Sequence, residues 1–303
     1  MRDILLISQL IAHLKFTTPA KLQYWLGSAF RGALGRNLRQ ICCIDFRKDC
    51  QTCESQEDCL FFYIYMRNRA KRGYAAPIKP IILIPPFFGK ELYLEKNGFL
   101  KLELLLVGDF VKYFPHVILG LSLLGKRGLG NMRYENVNRF VIESIESKTS
   151  KSVVFDGENI NLSNFCQLNI KELDGLKGNS FLIKFRTPYT GHDFPPAPER
   201  FIERIRNRFI RFVNEYGTQE HIPESIAEGK LESVTRHFHY LPRRSSRSNK
   251  TLFKGNTGIV SYKYSFLNST ARWLLHVGSI IGCGPDTAFG CGFFDISSKM
   301  ALP

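Results

Sequence analysis

Five of the eight cysteines in this 303-residue chain lie in the stretch ICCIDFRKDCQTCESQEDC, residues 41–59. Four of them follow the spacing C-x6-C-x2-C-x5-C: Cys43, Cys50, Cys53 and Cys59. A C-x2-C pair lets two thiolates face one ion from a short turn, and four thiolates can complete a tetrahedron. The pattern predicts structural zinc, with an iron–sulfur cluster or reduced free thiols as alternatives. Cys42 can replace Cys43, and the sequence does not choose between them.

Two histidines, His237 and His239 in RHFHYLPRR, form the best pair for acid–base chemistry among the seven in the chain. On a β-strand, side chains at i and i+2 point to the same face. An imidazole pKa near neutrality suits both the uptake and the release of a proton. The alternatives are that the pair stacks on nucleotide bases or that both are ordinary polar residues of a sheet face.

A glycine-rich stretch near the C-terminus, IIGCGPDTAFGCGFFDI, lies between a predicted helix and a predicted strand. Closely spaced glycines let backbone N–H groups approach an anion. The stretch lacks the Gly-Lys-Ser/Thr ending of a Walker loop, and its helix precedes the loop instead of following it as in a Rossmann motif. The alternative is a tight turn that packs a strand edge.

The elements that must position these residues repeat in the two halves of the chain. Each half reads as strand, helix, two strands, helix, glycine turn and strand, which predicts an α+β protein of two tandem ferredoxin-like (RRM-like, βαββαβ) domains. The polar ESKTSKS near residue 148 divides the chain into domains 1–148 and 149–303. The first carries the cysteine-rich, metal-binding insertion at about residues 42–75, and the second carries the glycine-rich loop, residues 282–292.

Two local patterns add detail to this plan. Asn97-Gly98, at the centre of ELYLEKNGFLKLELLLV, predicts a hairpin between the flanking strands. The segment APERFIERIRNRFIRFVNEYG predicts a helix with an apolar stripe. That helix also carries a basic row at helical spacing: Arg200, Arg204, Arg208 and Arg211.

The charge balance points to a polyanionic partner. The net charge is +15, from 42 Lys and Arg against 27 Asp and Glu, so nucleic acid is the first candidate and an anionic membrane the second. The most apolar region, residues 102–125, is interrupted by Asp109, Lys112 and Pro115, and no signal peptide is recognisable. We expect a cytoplasmic protein, where reducing conditions favour metal ligands or free thiols over disulfides.

Three motifs together resemble the repeat-processing endoribonucleases of the CRISPR-associated RAMP superfamily. HVGSIIGCGPDTAFGCGFFDI is similar to their closing glycine-rich loop, and KRGLGNMRYENVNRF to their midchain glycine turn. GSAFRGALGRNLRQICC resembles the first-helix motif of a branch in which four cysteines follow that helix. The resemblance implies paired ferredoxin-like domains that bind CRISPR repeat RNA in precursor crRNA. It also implies metal-independent cleavage that leaves a 2′,3′-cyclic phosphate.

Cleavage of this kind needs a base for the ribose 2′-OH, an acid for the leaving 5′-oxygen and a cation for the phosphorane, but no metal. His237 and His239 are the expected acid–base pair, and Tyr24 at the start of the first helix is a further catalytic candidate. The expected RNA contacts are basic side chains and loop glycines: Arg36, Arg39, Arg200, Arg204, Arg208, Arg243, Arg244, Arg247, Lys254, Gly282, Gly284 and Gly290.

The chain departs from the family at one point. The family often places its catalytic histidine on or near the first helix, whereas here no histidine lies between positions 14 and 115. One alternative is therefore a non-catalytic RAMP subunit that binds crRNA in an effector complex. Another, from a different class, is a zinc-dependent nucleic-acid-binding regulator. The expected partners are the repeat RNA and other CRISPR-associated effector subunits, and no membrane.

Overall fold

The structure, a computed structural model, describes residues 4–72, 76–130, 136–218, 221–242 and 252–298. Its backbone divides into two compact units, Leu6–Leu168 and Met1–Leu5 with Asn169–Pro303. The division falls after Leu168 and not near residue 148, because the intervening residues pack on the first unit. A strand at Val153–Phe155 extends its sheet, and the ring of Phe165 meets that of Phe114 edge-on at 4.7 Å.

The first unit combines an antiparallel sheet with two helices. Its helices are α1 (Gly27–Cys42) and α2 (Phe114–Arg127). Its strands are β1 (Leu6–Phe16), β2 (Ala20–Leu22), β3 (Ile81–Ile84), β4 (Leu92–Leu94), β5 (Phe99–Val107), β6 (Phe140–Ser147) and β7 (Val153–Phe155), with the short β8 (Leu168–Asn169) at the unit boundary. The main sheet has the order β3-β5-β1-β6-β7.

Alternation along β1 separates a core face from a polar face. Its core side chains are fully buried: Leu10, Ala12, Leu14 and Phe16. On the other face, His13 lies 3.4 Å from Glu146 and Lys15 lies 3.2 Å from Glu143. Phe30 of α1 approaches Phe140 of β6 with a centroid distance of 6.5 Å, so the helix covers the apolar side of the sheet.

The turn at Asn97-Gly98 forms, but the hairpin expected from it does not. Asn97 adopts φ +70°, as a tight turn requires. β4, however, pairs with β2 in a separate two-stranded ribbon, while β5 pairs with β1. The turn itself is fixed on the end of β1, where the Phe16 N–H donates to the Gly98 carbonyl oxygen at 2.9 Å.

The second unit has a similar alternation of strands and helices on its own antiparallel sheet. Its helices are α3 (Pro198–Tyr216) and α4 (Ser269–Ile281). Its strands are β9 (Ser180–Tyr189), β10 (Ala227–Val234), β11 (His237–Pro242), β12 (Leu252–Leu267) and β13 (Phe294–Ser298). The sheet order is β10-β12-β9-β13, and β11 pairs with the N-terminal part of β12.

The apolar stripe of α3 faces this sheet. Its side chains are buried at the positions expected from sequence: Phe201, Ile205, Phe209, Phe212 and Val213. The first unit thus runs two strands, helix, three strands, helix and strands, and the second runs strand, helix, three strands, helix and strand, with one strand more between the helices than expected. The sheets are antiparallel throughout. Among the described residues, no helix combines the length and apolar character needed to cross a membrane.

Candidate functional site

The two candidate histidines lie on one face of the β11–β12 hairpin. His237 is opposite Thr257 and His239 is opposite Gly255 in the antiparallel register. The Nε2 atom of His239 lies 2.7 Å from the Oγ1 atom of Thr257, and His239 is half-buried whereas His237 is exposed. The structure therefore brings this pair together in two different environments.

The environment of His239 changes its proton affinity. Burial lowers its pKa below the ordinary value, and the neighbouring His237 lowers it further. Both effects disfavour the charged imidazolium. At neutral pH the ring of His239 is consequently neutral and has the form required of a proton acceptor.

The same face of the hairpin packs on the glycine-rich loop. Leu241 and Phe253 follow the histidines in the register, and Phe253 contacts Phe289 of the loop with a centroid distance of 5.1 Å. Gly255 lets β12 approach the end of β9 closely, because a Cβ there would lie 2.9 Å from the Cβ of Pro188. The hairpin and the loop therefore belong to one packed region of the second unit.

The glycine-rich loop is held mainly by internal hydrogen bonds and is not an open anion-binding site. The N–H groups of Gly282, Gly290 and Gly292 donate to the carbonyl oxygens of Gly278, Thr287 and Pro188, each at 2.9 Å. This corrects the expectation for Gly282 and Gly290, whose amides already have protein acceptors. Gly284 has φ +91°, and a Cβ there would lie 2.6 Å from the Tyr189 ring. The loop is a tight turn against β9.

The basic row of α3 does not form a continuous surface. Arg200 is exposed, but Arg204 donates to Asp193 at 2.5 Å and to the Tyr189 hydroxyl. Arg208 is only 8% exposed, and its Nε–H donates to the Ile281 carbonyl oxygen at 2.8 Å. Burial lowers the pKa of Arg208 to about 9. Arg208 thus joins α3 to the end of α4, which corrects its assignment as an RNA contact.

Candidates in the first unit also divide between surface and packing positions. Arg36 is exposed on α1. Arg39 donates to the Phe46 carbonyl oxygen at 3.1 Å and lies over the rings of Phe46 and Phe61, so it packs on the cysteine segment. Tyr24 is half-buried, and burial raises the pKa of its hydroxyl, which suits a hydrogen-bond donor better than a base.

The outer face of the hairpin carries aromatic residues that the sequence reasoning missed. Phe238 and Tyr240 are 46% and 53% exposed, and their rings meet edge-on at 4.9 Å. Lys254 is exposed opposite Tyr240, and Arg236 donates to the Asn256 side chain at 2.7 Å. The alternation in HFHYL was the available signal. Arg243, Arg244 and Arg247 lie outside the described residues.

The five cysteines of residues 41–59 share one small cavity, which Lys48 also lines. They line it together: Cys42, Cys43, Cys50, Cys53 and Cys59. Burial raises the pKa of Cys42 and of Cys50, and each also interacts electrostatically with Cys43 and Cys59. Within the described part of the chain, no three His, Cys, Asp or Glu side chains already stand in a metal-binding arrangement. The donor set suits zinc, but the thiols would have to close around the ion.

Solved structures with a similar fold are Cas6 structures. A Cas6 (TTHB231) product complex shares 15% identity with a TM-score of 0.55, covering 96% of this chain and 100% of that one. A Cas6 (TTHA0078) product complex shares 13% identity with a TM-score of 0.51, covering 97% and 100%. A partial Cas6-RT-Cas1–Cas2 complex gives 11% identity and a TM-score of 0.55, covering 98% of this chain and 47% of that one. The chain therefore has a Cas6-like fold.

Sequence comparison gives a nearer relationship. A protein of Archaeoglobus fulgidus, described as uncharacterized, is 36% identical over 275 residues, covering 90% of this chain and 92% of the relative. The family model AF_1859_N, an N-terminal domain, matches residues 5–165, and AF_1859_C, a C-terminal domain, matches residues 181–296. Apart from Leu5, each matched range falls within one compact unit. The chain belongs to the family that these AF_1859 N-terminal and C-terminal domains define.

Proposed function

We propose that this protein is an endoribonuclease that binds CRISPR repeat RNA and cleaves precursor crRNA by metal-independent attack of a ribose 2′-OH. The observation that carries the proposal is the His237–His239 pair, held on one face of the β11–β12 hairpin beside the glycine-rich loop. The Cas6-like fold and the net charge of +15 support the choice of RNA as substrate.

The proposed chemistry assigns one proton transfer to each histidine. Neutral His239 takes the proton of the 2′-OH, and the 2′-oxygen attacks the adjacent phosphorus. The bond from phosphorus to the 5′-oxygen breaks, and protonated His237 gives that oxygen its proton. The products are a 2′,3′-cyclic phosphate and a 5′-OH end. Tyr24, which belongs to the first unit, stays a separate catalytic candidate, and its raised pKa keeps the hydroxyl protonated.

RNA binding is proposed to use the exposed face of the same hairpin. Unpaired bases stack well on accessible aromatic rings, and Phe238 and Tyr240 provide two. Lys254, exposed directly opposite Tyr240, adds a positive charge beside them. Other CRISPR-associated subunits are proposed partners, because a Cas6 chain with this fold is found in a complex with RT, Cas1 and Cas2.

A second candidate is a RAMP subunit that binds crRNA without cutting it. The observation that favours it is the missing histidine of the first helix: no histidine lies between positions 14 and 115. Such a protein would retain affinity for repeat RNA and release no product. Turnover on repeat RNA therefore distinguishes the two functions.

We also propose that the cysteine segment holds a structural metal, with zinc favoured over an iron–sulfur cluster. The proposed ligands are Cys43, Cys50, Cys53 and Cys59. Cys42 lines the same cavity and stays the alternative to Cys43. Four thiolates leave no open coordination position, so the metal would order the segment and take no part in cleavage.

Repeat RNA with a 2′-deoxy nucleotide at the scissile position tests the proposed mechanism. In the presence of EDTA, the protein should cut the all-ribose RNA and leave the deoxy RNA intact, since only the ribose carries the nucleophile. Both RNAs should bind with similar affinity in a filter-binding assay. Cleavage of the deoxy RNA, or cleavage that EDTA abolishes while the protein stays folded, would contradict the mechanism; binding without any cleavage would favour the second candidate.

A further inference from the structure

The segment after the cysteines forms a short π-helix, Phe62–Met66, followed by a basic run at residues 67–72. Neither takes part in the proposed cleavage. The π-helix is fixed on α1 by Tyr65, whose hydroxyl donates to the Arg31 carbonyl oxygen at 3.4 Å. Gly35 makes room for that ring, because a Cβ there would lie 2.9 Å from it. This anchoring fixes the position of the neighbouring Tyr63, which stays half-buried.

A continuous row of aromatic rings extends from Tyr63. Its centroid lies 5.3 Å from that of Phe110, which in turn lies 5.3 Å from that of Tyr113. Phe110 and Tyr113 belong to the single 3₁₀ turn, Gly108–Tyr113, that precedes α2. Phe110 is buried, whereas Tyr113 is half-buried like Tyr63. The row therefore reaches the surface at both ends.

Positive groups lie over these rings. The Arg67 guanidinium is 4.0 Å and the Lys71 ammonium 6.0 Å from the centroid of Tyr63. The Lys112 ammonium is 5.2 Å from the centroid of Tyr113. Cations at these distances are attracted to the ring faces. Basic and aromatic groups are thus interleaved on one surface, which we call the aromatic–basic patch.

The charge of the patch is mainly positive. Residues 60–72 and 108–116 contain five basic residues and a single carboxylate, Asp109. Arg69, Lys71 and Arg72 are exposed at the end of the run. A surface of this composition complements a phosphate backbone that carries accessible bases.

We propose that the aromatic–basic patch binds single-stranded RNA. Bases stack on the accessible rings of Tyr63 and Tyr113, while Arg69, Lys71 and Arg72 bind phosphates. Stacking of this kind requires unpaired bases, which excludes a continuous duplex as the ligand. The choice of RNA rests on the proposed function, and the inference extends it by giving the first unit an RNA contact of its own.

Binding of a fluorescent oligouridylate of about twelve nucleotides tests this proposal, because such an RNA is unpaired and has the length of a single-strand site. In the full-length protein, the triple variant Arg69→Ala, Lys71→Ala and Arg72→Ala should weaken the salt dependence of binding. The negative slope of log K against log salt should become smaller in magnitude by about 2. Tyr113→Leu should weaken binding by about tenfold. The triple variant changes only exposed side chains, so its thermal unfolding should match that of the wild type.

The double variant Lys21→Ala with Tyr93→Leu is a matched control. It removes another lysine that lies over an exposed tyrosine of the first unit, with 5.5 Å between the Lys21 ammonium and the centroid of Tyr93. This lysine differs from those of the patch because it lies beside the carboxylate of Glu91. This control should bind the oligouridylate as the wild type does. The inference is wrong if the triple variant keeps wild-type affinity and salt slope, or if the wild type does not bind the oligouridylate. Patch-dependent binding by a protein that cannot cut repeat RNA would overturn only the proposed cleavage.

Discussion

At His239, the surroundings of one side chain decide which part of an acid–base pair it can supply. The i, i+2 spacing placed His237 and His239 on one face, but it gave no reason to assign one as the acid and the other as the base. In the folded unit, His239 is half-buried against Thr257 and its pKa is lowered, while His237 is exposed. The difference arises from the packing of β11 against β12, which cannot be predicted from the spacing of the two histidines.

Alanine substitutions at the two histidines measure their contribution to cleavage. His237→Ala and His239→Ala should each lower the cleavage rate by about 10²–10⁴, the usual contribution of a positioned acid or base. Affinity for repeat RNA should change little. His221→Ala is the control, since this exposed histidine belongs to the same unit. Wild-type rates in both variants would show that the acid–base pair lies elsewhere.

The pH–rate profile separates the two roles. Because the pKa of His239 is lowered below 6.5, the ring loses its proton as the pH rises through that lower value. Cleavage should therefore increase with pH on an acid limb centred below pH 6.5, and His239→Ala should abolish that limb. An acid limb centred above pH 6.5 in the wild type would contradict the assignment of His239 as the base.

At the scale of elements, α3 and the glycine-rich loop show that the spacing of residues in the sequence does not by itself give the direction in which each side chain points. The apolar stripe of α3 was predictable because burial of a helix face follows a period of 3.6 residues. The arginine row shares that period, yet Arg204 and Arg208 turn inward to partners on other elements. The glycines of the loop likewise serve its packing on β9. Helical spacing alone cannot distinguish a solvated row from one that meets buried acceptors.

Gly284→Ala tests the packing role of the loop. Gly178→Ala is the matched control, since Gly178 has a similar φ of +89° but a Cβ there would meet no atom closer than 4.0 Å. Both variants carry backbone strain, so their difference isolates the clash with Tyr189. Gly284→Ala should lower the free energy of unfolding by about 1–3 kcal/mol more than the control, measured by urea denaturation. Equal losses would show that the loop yields to the added methyl group.

For the whole molecule, composition indicates a class of partner through the total charge. A net charge of +15 destabilises a compact chain and is offset by a polyanion. Composition does not locate the charge, however. Some arginines are buried or paired, as Arg208 is, while others lie beside aromatic rings in the aromatic–basic patch. The partner class follows from the total charge and the binding surface from its distribution.

Metal content tests whether the cysteine segment stabilises the whole chain. Protein purified without a metal-affinity column should contain near-stoichiometric zinc, and Cys50→Ser should remove it. The melting temperature of that variant should fall by at least about 2–4 °C, the shift per kcal/mol for a chain of this size. Cys166→Ser, outside the cavity, is the control. The metal site would be contradicted if the wild type contained only substoichiometric zinc and iron and had the same melting temperature as Cys50→Ser.

The sequence by itself determined the alternation of strands and helices, the apolar face of α3, the turn at Asn97-Gly98 and the position of His237 and His239 on one strand face, but not the number of strands. These features depend on local conformation and periodicity, which neighbouring residues specify. Tertiary structure alone decided that β4 pairs with β2, that the chain divides after Leu168, that Arg208 is buried and that rings from two distant segments form one row. Such contacts join residues far apart in sequence, and the competition among alternative partners is resolved only when the whole core packs.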